Sequence, residues 1–190
     1  MPAYSLLRIQ RLSRSTLAIV PLRAKDIFKI KEWRNAQIDV LRQTKILTNE
    51  DQKRYYKSSI APTFRQKEPR QILFSYLNGG RLIGYGGLTN IDWTNRRAEI
   101  SFLVDPGIAG RRGEYARVFS CFLELLKEVA FDILAFHRIY TETFSFRKHH
   151  VRILEKSGFV NEGTMREHVE FRGKYYDSLL HGYLRQEYLS

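Results

Sequence analysis

Apolar and polar positions change period several times along the chain, and each change marks an element. Leu17 to Leu22 is an apolar run of strand length and reads as a first β-strand. Asp26 stands where a helix cap belongs, ahead of Ile27, Phe28, Ile30 and Trp33, whose spacing predicts a short helix ending near Asn35. Thr48 and Asp51 form a capping-box pair before a second helix that carries Tyr55, Tyr56 and Ile60. Between Ala61 and Pro69, two prolines and several charges break the pattern and predict a loop.

The signal then turns to strands. Gln71 to Leu77, Arg81 to Leu88 and Ala98 to Val104 read as an antiparallel meander whose first turn is Asn78, Gly79 and Gly80. From Glu114 to Phe131, residues Tyr115, Val118, Phe119, Phe122, Leu126, Val129 and Ala130 step by three and four, giving an apolar stripe over about five turns. Arg138 to Thr143 reads as a strand, and Arg147 to Lys156 as a helix stopped by Ser157 and Gly158. Phe159 onward reads as two strands turning at Arg172 and Gly173. The span from Ala98 to Thr143 is long enough for a parallel crossover. The predicted class is α/β (α+β): one domain over residues 1–190, with a mixed, mostly antiparallel central sheet flanked by helices.

Composition narrows the function. The chain has 190 residues, 43% of them hydrophobic, enough for a real core, and no charge-free stretch approaches the roughly 20 residues of a membrane-spanning helix. Basic residues outnumber acidic ones 32 to 20, a formal charge of +12. Such a charge suits nucleic acid, an anionic membrane or a phosphorylated small ligand. The basic residues are dispersed, with no run of five or six, which favours the small ligand over nucleic acid. The first 25 residues are basic enough for an organellar leader, but the strand at Leu17 is the better reading. Cys121 is the sole cysteine, which fits a reducing, cytoplasmic setting; on its apolar helix it reads as a buried thiol. His149 and His150 are adjacent, about 100° apart on a helix, so they form no same-face metal pair, and no metal is expected. Phe171, Tyr175 and Tyr176 read as an ordinary closing hairpin. Nothing in the pattern fixes an oligomeric state.

The segment from Val104 to Tyr115 carries the most chemistry. Gly107, Gly110 and Gly113 let backbone N–H groups converge where a helix begins, and Arg111 and Arg112 add positive charge, which makes the segment a cradle for phosphate. It lacks the Gly-Lys-Ser/Thr ending of a nucleotide triphosphate loop and the full dinucleotide fingerprint.

Taken in order, several pieces resemble the GNAT superfamily of acetyl-CoA-dependent N-acetyltransferases. They are Leu22 to Asp26 after the first strand, Arg81 to Gly86 in a middle strand, Ala98-Glu99-Ile100 leading into Val104-Asp105-Pro106, and Leu154 to Phe159 near the end. Asn161-Glu162-Gly163, followed by Arg166, resembles the branch of ribosomal-protein N-terminal and nucleotide-amino-sugar acetyltransferases. The resemblance implies acetyl-CoA as acyl donor. Its pyrophosphate would lie on Gly110, Arg111, Arg112, Gly113, Glu114 and Tyr115, and its pantetheine along the strand edge at Leu103 and Val104. Arg147 would stand near the cofactor, where the family often has Asn. Leu154 replaces the Tyr that many members use as an acid, so the general acid is unassigned.

Acetyl transfer to an amine needs a proton acceptor. Glu99, inside an apolar strand that enters the cofactor edge, is the first candidate base; alternation places it on one face with Ser101 and Leu103. Its competing role is an outward carboxylate paired with Arg96 or Arg97. Asp92 is the weaker candidate. Trp33, Arg34 and Asn35 resemble the acceptor-lining segment of amino-sugar-nucleotide acetyltransferases, with Trp33 stacking on a ring and Arg34 holding phosphate. The burial habit of large aromatics favours a core anchor for Trp33 instead. The expected partner is a small-molecule amine, foremost a nucleotide-linked amino sugar of surface-glycan synthesis, then a ribosomal-protein N-terminus. A reading of another class is a non-catalytic module that holds acyl-CoA or RNA.

Overall fold

In the computed structural model, which describes residues 2–190, the strand-forming runs join in one sheet. An N-terminal hairpin comprises β1 (Leu12–Arg14), a strand the apolar pattern does not reveal, and β2 (Leu17–Pro21). The meander follows as β3 (Ile72–Asn78), β4 (Arg81–Asp92) and β5 (Arg97–Val104), then β6 (Arg138–Phe144), β7 (Val160–Phe171) and β8 (Lys174–Leu184). The order across the sheet is β1-β2-β3-β4-β5-β6-β8-β7. Every neighbouring pair is antiparallel except β5 with β6. The closing hairpin turns at Arg172 and Gly173, both at positive φ.

Helices cover both faces. On one side lie α1 (Ile27–Ala36) and α2 (Asn49–Tyr55), and on the other α4 (Arg112–Lys127) and α5 (Lys148–Lys156). The single-turn α3 (Pro106–Ala109) leads into α4, and α6 (Arg185–Leu189) ends the chain. Thr48 and Asp51 make the expected capping box. Asp26 does not cap α1 with its side chain; it is buried, and its carboxylate accepts from Arg23 Nε at 2.5 Å and Ser75 Oγ at 2.6 Å, which ties the helix start to β3. The expected loop from Ala61 to Pro69 begins as a 3-10 turn, Ala61–Arg65, that continues α2 through a π turn at Tyr56–Ile60, and is irregular from Gln66 onward. Pro62 fits because the first turn of such a helix does not need its N–H.

The larger core lies between the sheet and α4, where Tyr76, Phe102, Phe119 and Phe122 pack ring against ring. A smaller one beneath α1 joins Leu22, Ile30, Trp33, Ile60, Leu73, Tyr85 and Leu103. Trp33 is 4% exposed and belongs to this second core, so it is a packing anchor and not an acceptor-stacking residue. Cys121 is half-buried against the α4 core, less enclosed than its helix position predicts.

Gly86 brings β4 and β5 together. A Cβ there would lie 2.1 Å from the Ser101 carbonyl oxygen, a backbone atom that cannot swing aside. Gly86→Ala should therefore force the two strands apart and cost roughly 3 kcal/mol or more, well above an ordinary strand substitution. Denaturant unfolding of the purified variant measures this; a loss below 1 kcal/mol, on the scale of an ordinary substitution, would show that the strands accommodate a methyl group.

Candidate active site

Strands β5 and β6 pair over only three rungs, Arg97↔Arg138, Ala98↔Ile139 and Glu99↔Tyr140, and then part. The Asp105 amide donates to the Ile83 carbonyl at 2.8 Å, so alternation turns the odd-numbered backbone groups of β5 toward β4. Those of Ile100, Phe102 and Val104 therefore face the gap. An aromatic wedge stands at its mouth: Phe102 stacks on Phe119 at 4.6 Å, and Phe119 on His150 at 4.2 Å. Gln37 of the segment after α1 donates to the Val104 carbonyl at 2.8 Å, so the far end of this edge is already partnered.

Two cavities adjoin the gap. The smaller, about 250 Å3, is lined by Arg34, Arg42, Asn90, Glu99, Ser101 and Glu142 among others. The larger, about 440 Å3, is lined by Leu103, Val104, Arg112, Tyr115, Lys148 and His149 among others. Val40, Phe102, Arg147 and His150 line both.

In the smaller cavity, two carboxylates from the diverging strands meet on one guanidinium. Arg42 donates to Glu99 Oε1 at 3.0 Å and pairs with Glu142 Oε2 at 2.9 Å. A β-bulge between Thr89 and Asp92 puts Asn90 at positive φ and lets its amide donate to Glu99 Oε2 at 2.6 Å. Glu142 Oε1 is buried without a hydrogen bond, with His168 Nδ1 3.4 Å away. Glu99 thus faces the gap, and its expected alternative partners are engaged elsewhere: Arg97 holds Asp92, and Arg96 donates to the Ala135 carbonyl. Asp92 lies outside both cavities, and hydrogen bonds from Asn95 lower its pKa.

Of the Trp33-Arg34-Asn35 tripeptide, only Arg34 reaches this cavity. It donates to Tyr85 Oη at 2.5 Å and to Gln43 Oε1 at 3.0 Å, and no carboxylate pairs with it among the described residues. Asn35 instead holds the segment before α2, bonding the Leu47 amide and carbonyl and the Gln43 side chain. Its two-sided amide is used up inside the protein, so it is not free to bind an acceptor.

The glycine-rich turn is narrower as an anion cradle than its sequence predicts. The Gly110 and Arg111 amides donate within the α3 turn, and the Tyr115 amide donates to the Arg111 carbonyl, which leaves Arg112, Gly113 and Glu114 as the unpaired donors of α4. Arg111 is held by Glu114 at 2.5 Å. Arg112, Arg147 and Lys148 bring positive charge to the larger cavity.

Tyr115 contributes its side chain instead of its amide. The phenol is buried, and its oxygen lies 2.7 Å from His150 Nδ1 and 3.3 Å from an Arg147 nitrogen. Burial, then the Arg147 charge, pushes the His150 pKa well below the usual histidine value, so the ring is neutral. Burial raises that of Tyr115. Sequence reasoning passed over His150, Arg42, Asn90 and Glu142. A charged residue at the centre of a strand, as Glu142 is in β6, was a usable signal; nothing local marks Arg42.

A family model described as an acetyltransferase (GNAT) domain matches residues 19–180. Among curated relatives, the chain is 36% identical over 55 residues to an uncharacterized SPbeta prophage-derived N-acetyltransferase of Bacillus subtilis, covering 29% of this chain and 31% of that protein. It is 29% identical over 109 residues to spermidine N(1)-acetyltransferase of Vibrio cholerae, covering 57% and 60%. These two are thus spanned for less than two thirds of their own length. A putative ribosomal N-acetyltransferase of Bacillus subtilis is 24% identical over 70% of this chain and 71% of its own. The crystal structure of the Vibrio cholerae spermidine N-acetyltransferase with CoA and spermine superposes with a TM-score of 0.77 at 22% identity, covering 93% of this chain and 100% of that one. At that identity the likeness carries the fold.

A second buried histidine, His181, is fully enclosed with neither ring nitrogen hydrogen-bonded among the described residues, and burial lowers its pKa against the opposing pull of Glu155, 3.8 Å from Nε2. Both histidines hold protons less tightly folded than unfolded, so unfolding takes up protons once pH drops below about 6.5. Their stabilising effect is complete above that pH and is lost as pH falls toward the depressed folded-state values. The melting midpoint should fall from about pH 7.5 to about pH 5, and His181→Gln should flatten that fall. Equal slopes for the two proteins would clear His181 of any part in acid sensitivity.

Proposed function

The chain belongs to the GNAT acetyltransferase family, whose members are N-acetyltransferases that use acetyl-CoA, and from that premise we propose that it acetylates the primary amine of a small, cationic acceptor. The observation that carries the acceptor class is the meeting of Glu99 and Glu142 on Arg42. An alkylammonium entering there finds two carboxylates that already bind a cation, one with an unpartnered oxygen. Polyamines have this chemistry, and spermidine is the substrate named for the Vibrio cholerae relative. The donor would occupy the larger cavity, with its phosphates against Arg112, Gly113, Glu114, Lys148 and Arg147, and its thioester arm along Phe102 to Val104. Glu99, which accepts hydrogen bonds from Arg42 and Asn90, would take the ammonium proton through water before attack. The reaction fits the cytoplasm.

One observation favours a second reading. Arg34 offers the smaller cavity a guanidinium without a carboxylate, which suits the phosphate of a nucleotide-linked amino sugar. With Trp33 in the core and Asn35 tied to Leu47, that reading keeps one of its three residues.

Thiol release from acetyl-CoA, measured with polyamines, nucleotide amino sugars and N-terminal peptides, separates these acceptors. Polyamines should turn over fastest, and Glu142→Gln should raise their KM by about ten- to a hundredfold, the worth of one charge-assisted contact, with the acetyl-CoA Kd unchanged. Sugar-nucleotide turnover that collapses in Arg34→Ala would install the second reading instead. Stabilisation by acetyl-CoA without turnover of any amine would leave only a binding module.

A further inference from the structure

We infer that His150 is the catalytic proton shuttle of the acetyl transfer and that Tyr115 is its positioning residue. The inference rests on the acetyltransfer reading and supplies the group that reading lacks, since Leu154, at the place of the Tyr acid in the resemblance, is fully buried in the core.

Location singles out His150. An acetyl group passing from donor to acceptor crosses the junction of the two cavities, and among the described residues Arg147 and His150 are the titratable side chains that line both. A guanidinium keeps its proton at any working pH, so the imidazole is the group that can exchange one. The ring is fixed by its stack on Phe119, by Tyr115 Oη at 2.7 Å from Nδ1 and by an Arg147 nitrogen 3.4 Å from the same Nδ1. Nε2 has no hydrogen-bond partner among the described residues and is not sealed from the cavity, so it is the nitrogen free to work.

The proton inventory closes without a further reactant. The amine nitrogen bonds to the thioester carbon, giving an adduct with an N–H⁺ and an oxyanion. In the tautomer that carries its proton on Nδ1, donated to Tyr115 Oη, Nε2 takes the nitrogen's proton. The carbonyl re-forms, the C–S bond breaks, and Nε2–H passes the proton to the departing sulfur. Amide and CoA thiol leave, and the imidazole is neutral again. The groups packed around the ring suit a brief cation. Arg147, at the start of α5, opposes its charge, the rings of His149 of α5 and His181 of β8 face it, Tyr115 of α4 lies at its Nδ1, and β5 and β6 present Phe102, Thr141 and Thr143 there, with Glu99 and Glu142 gathered at Arg42. A proton so weakly held moves readily to a thiolate, whose usual pKa is about 8.5.

The test compares wild type, His150→Gln and Tyr115→Phe with acetyl-CoA and the amine that the wild type turns over best. His150→Gln should lower kcat by about a hundredfold, leave the acetyl-CoA Kd within about twofold, and abolish the loss of kcat at acid pH that protonation of His150 imposes. Tyr115→Phe keeps the imidazole and removes its tether; kcat should fall by about five- to tenfold with a displaced acid limb, and it decides the matter if His150→Gln melts below the assay temperature. Either variant retaining both the wild-type kcat and the wild-type acid limb overturns the inference. So does a reduced kcat in His150→Gln whose acid limb keeps the wild-type position and steepness, because removal of His150 should leave only the limb set by Glu99 and the amine. A wild type that turns over no amine would instead bring down the acetyltransfer reading itself.

Discussion

Parallel pairing between β5 and β6 ends after the Glu99–Tyr140 rung, and the rest of the functional architecture follows from that divergence. A continuous sheet would bury every backbone donor and acceptor in its own ladder and leave no interior edge. Here the edge from Ile100 to Val104 opens inside the sheet, with the Phe102, Phe119 and His150 stack beside it, and both cavities adjoin it. Gly86 sets the position of that edge from the other side, because only a residue without Cβ lets β4 come so close to β5.

The two ends of the gap differ in charge, which gives the site a direction. The larger cavity is basic, with Arg112, Arg147 and Lys148 beside the unpaired amides at the start of α4. That is the environment a diphosphate needs. The smaller one sets Glu99 and Glu142 among Arg34, Arg42 and Arg147, so it mixes both signs where the larger one is basic only. Two partly buried carboxylates on opposing strands repel unless a cation lies between them, and Arg42 supplies it in this structure. Because half of the Arg42 side chain is exposed, a mobile ammonium can compete for the same place.

Between these ends sits a neutral imidazole. Burial disfavours its charged form, and Arg147 adds to the penalty, so the folded chain holds a histidine that is unprotonated at neutral pH and resists protonation well into the acid range. The hydrogen bond with Tyr115 fixes which nitrogen faces the cavity. Stability and reactivity are coupled at this residue, since the burial that makes it a weak base also makes it a proton acceptor on unfolding.

Much of this molecule was legible in its sequence because the signals are local. Two-residue alternation and three-to-four stepping found most of the sheet and the α4 stripe, and the Thr48–Asp51 box found the start of α2. What local pattern could not supply was partnership. Trp33 and Arg34 are neighbours, yet one is sealed beneath α1 and the other lines a cavity, because helical geometry turns successive side chains about 100° apart. Arg42 and Glu99 lie 57 residues apart, and Tyr115 and His150 lie 35 apart. Their meeting depends on which strands pair, where the pairing stops and how the helices pack over the gap. The sequence by itself determined most of the elements and the basic balance. Tertiary structure decided which carboxylates, which guanidinium and which imidazole share the space where strands β5 and β6 part, because burial and proximity are properties of the packed chain and not of any segment within it.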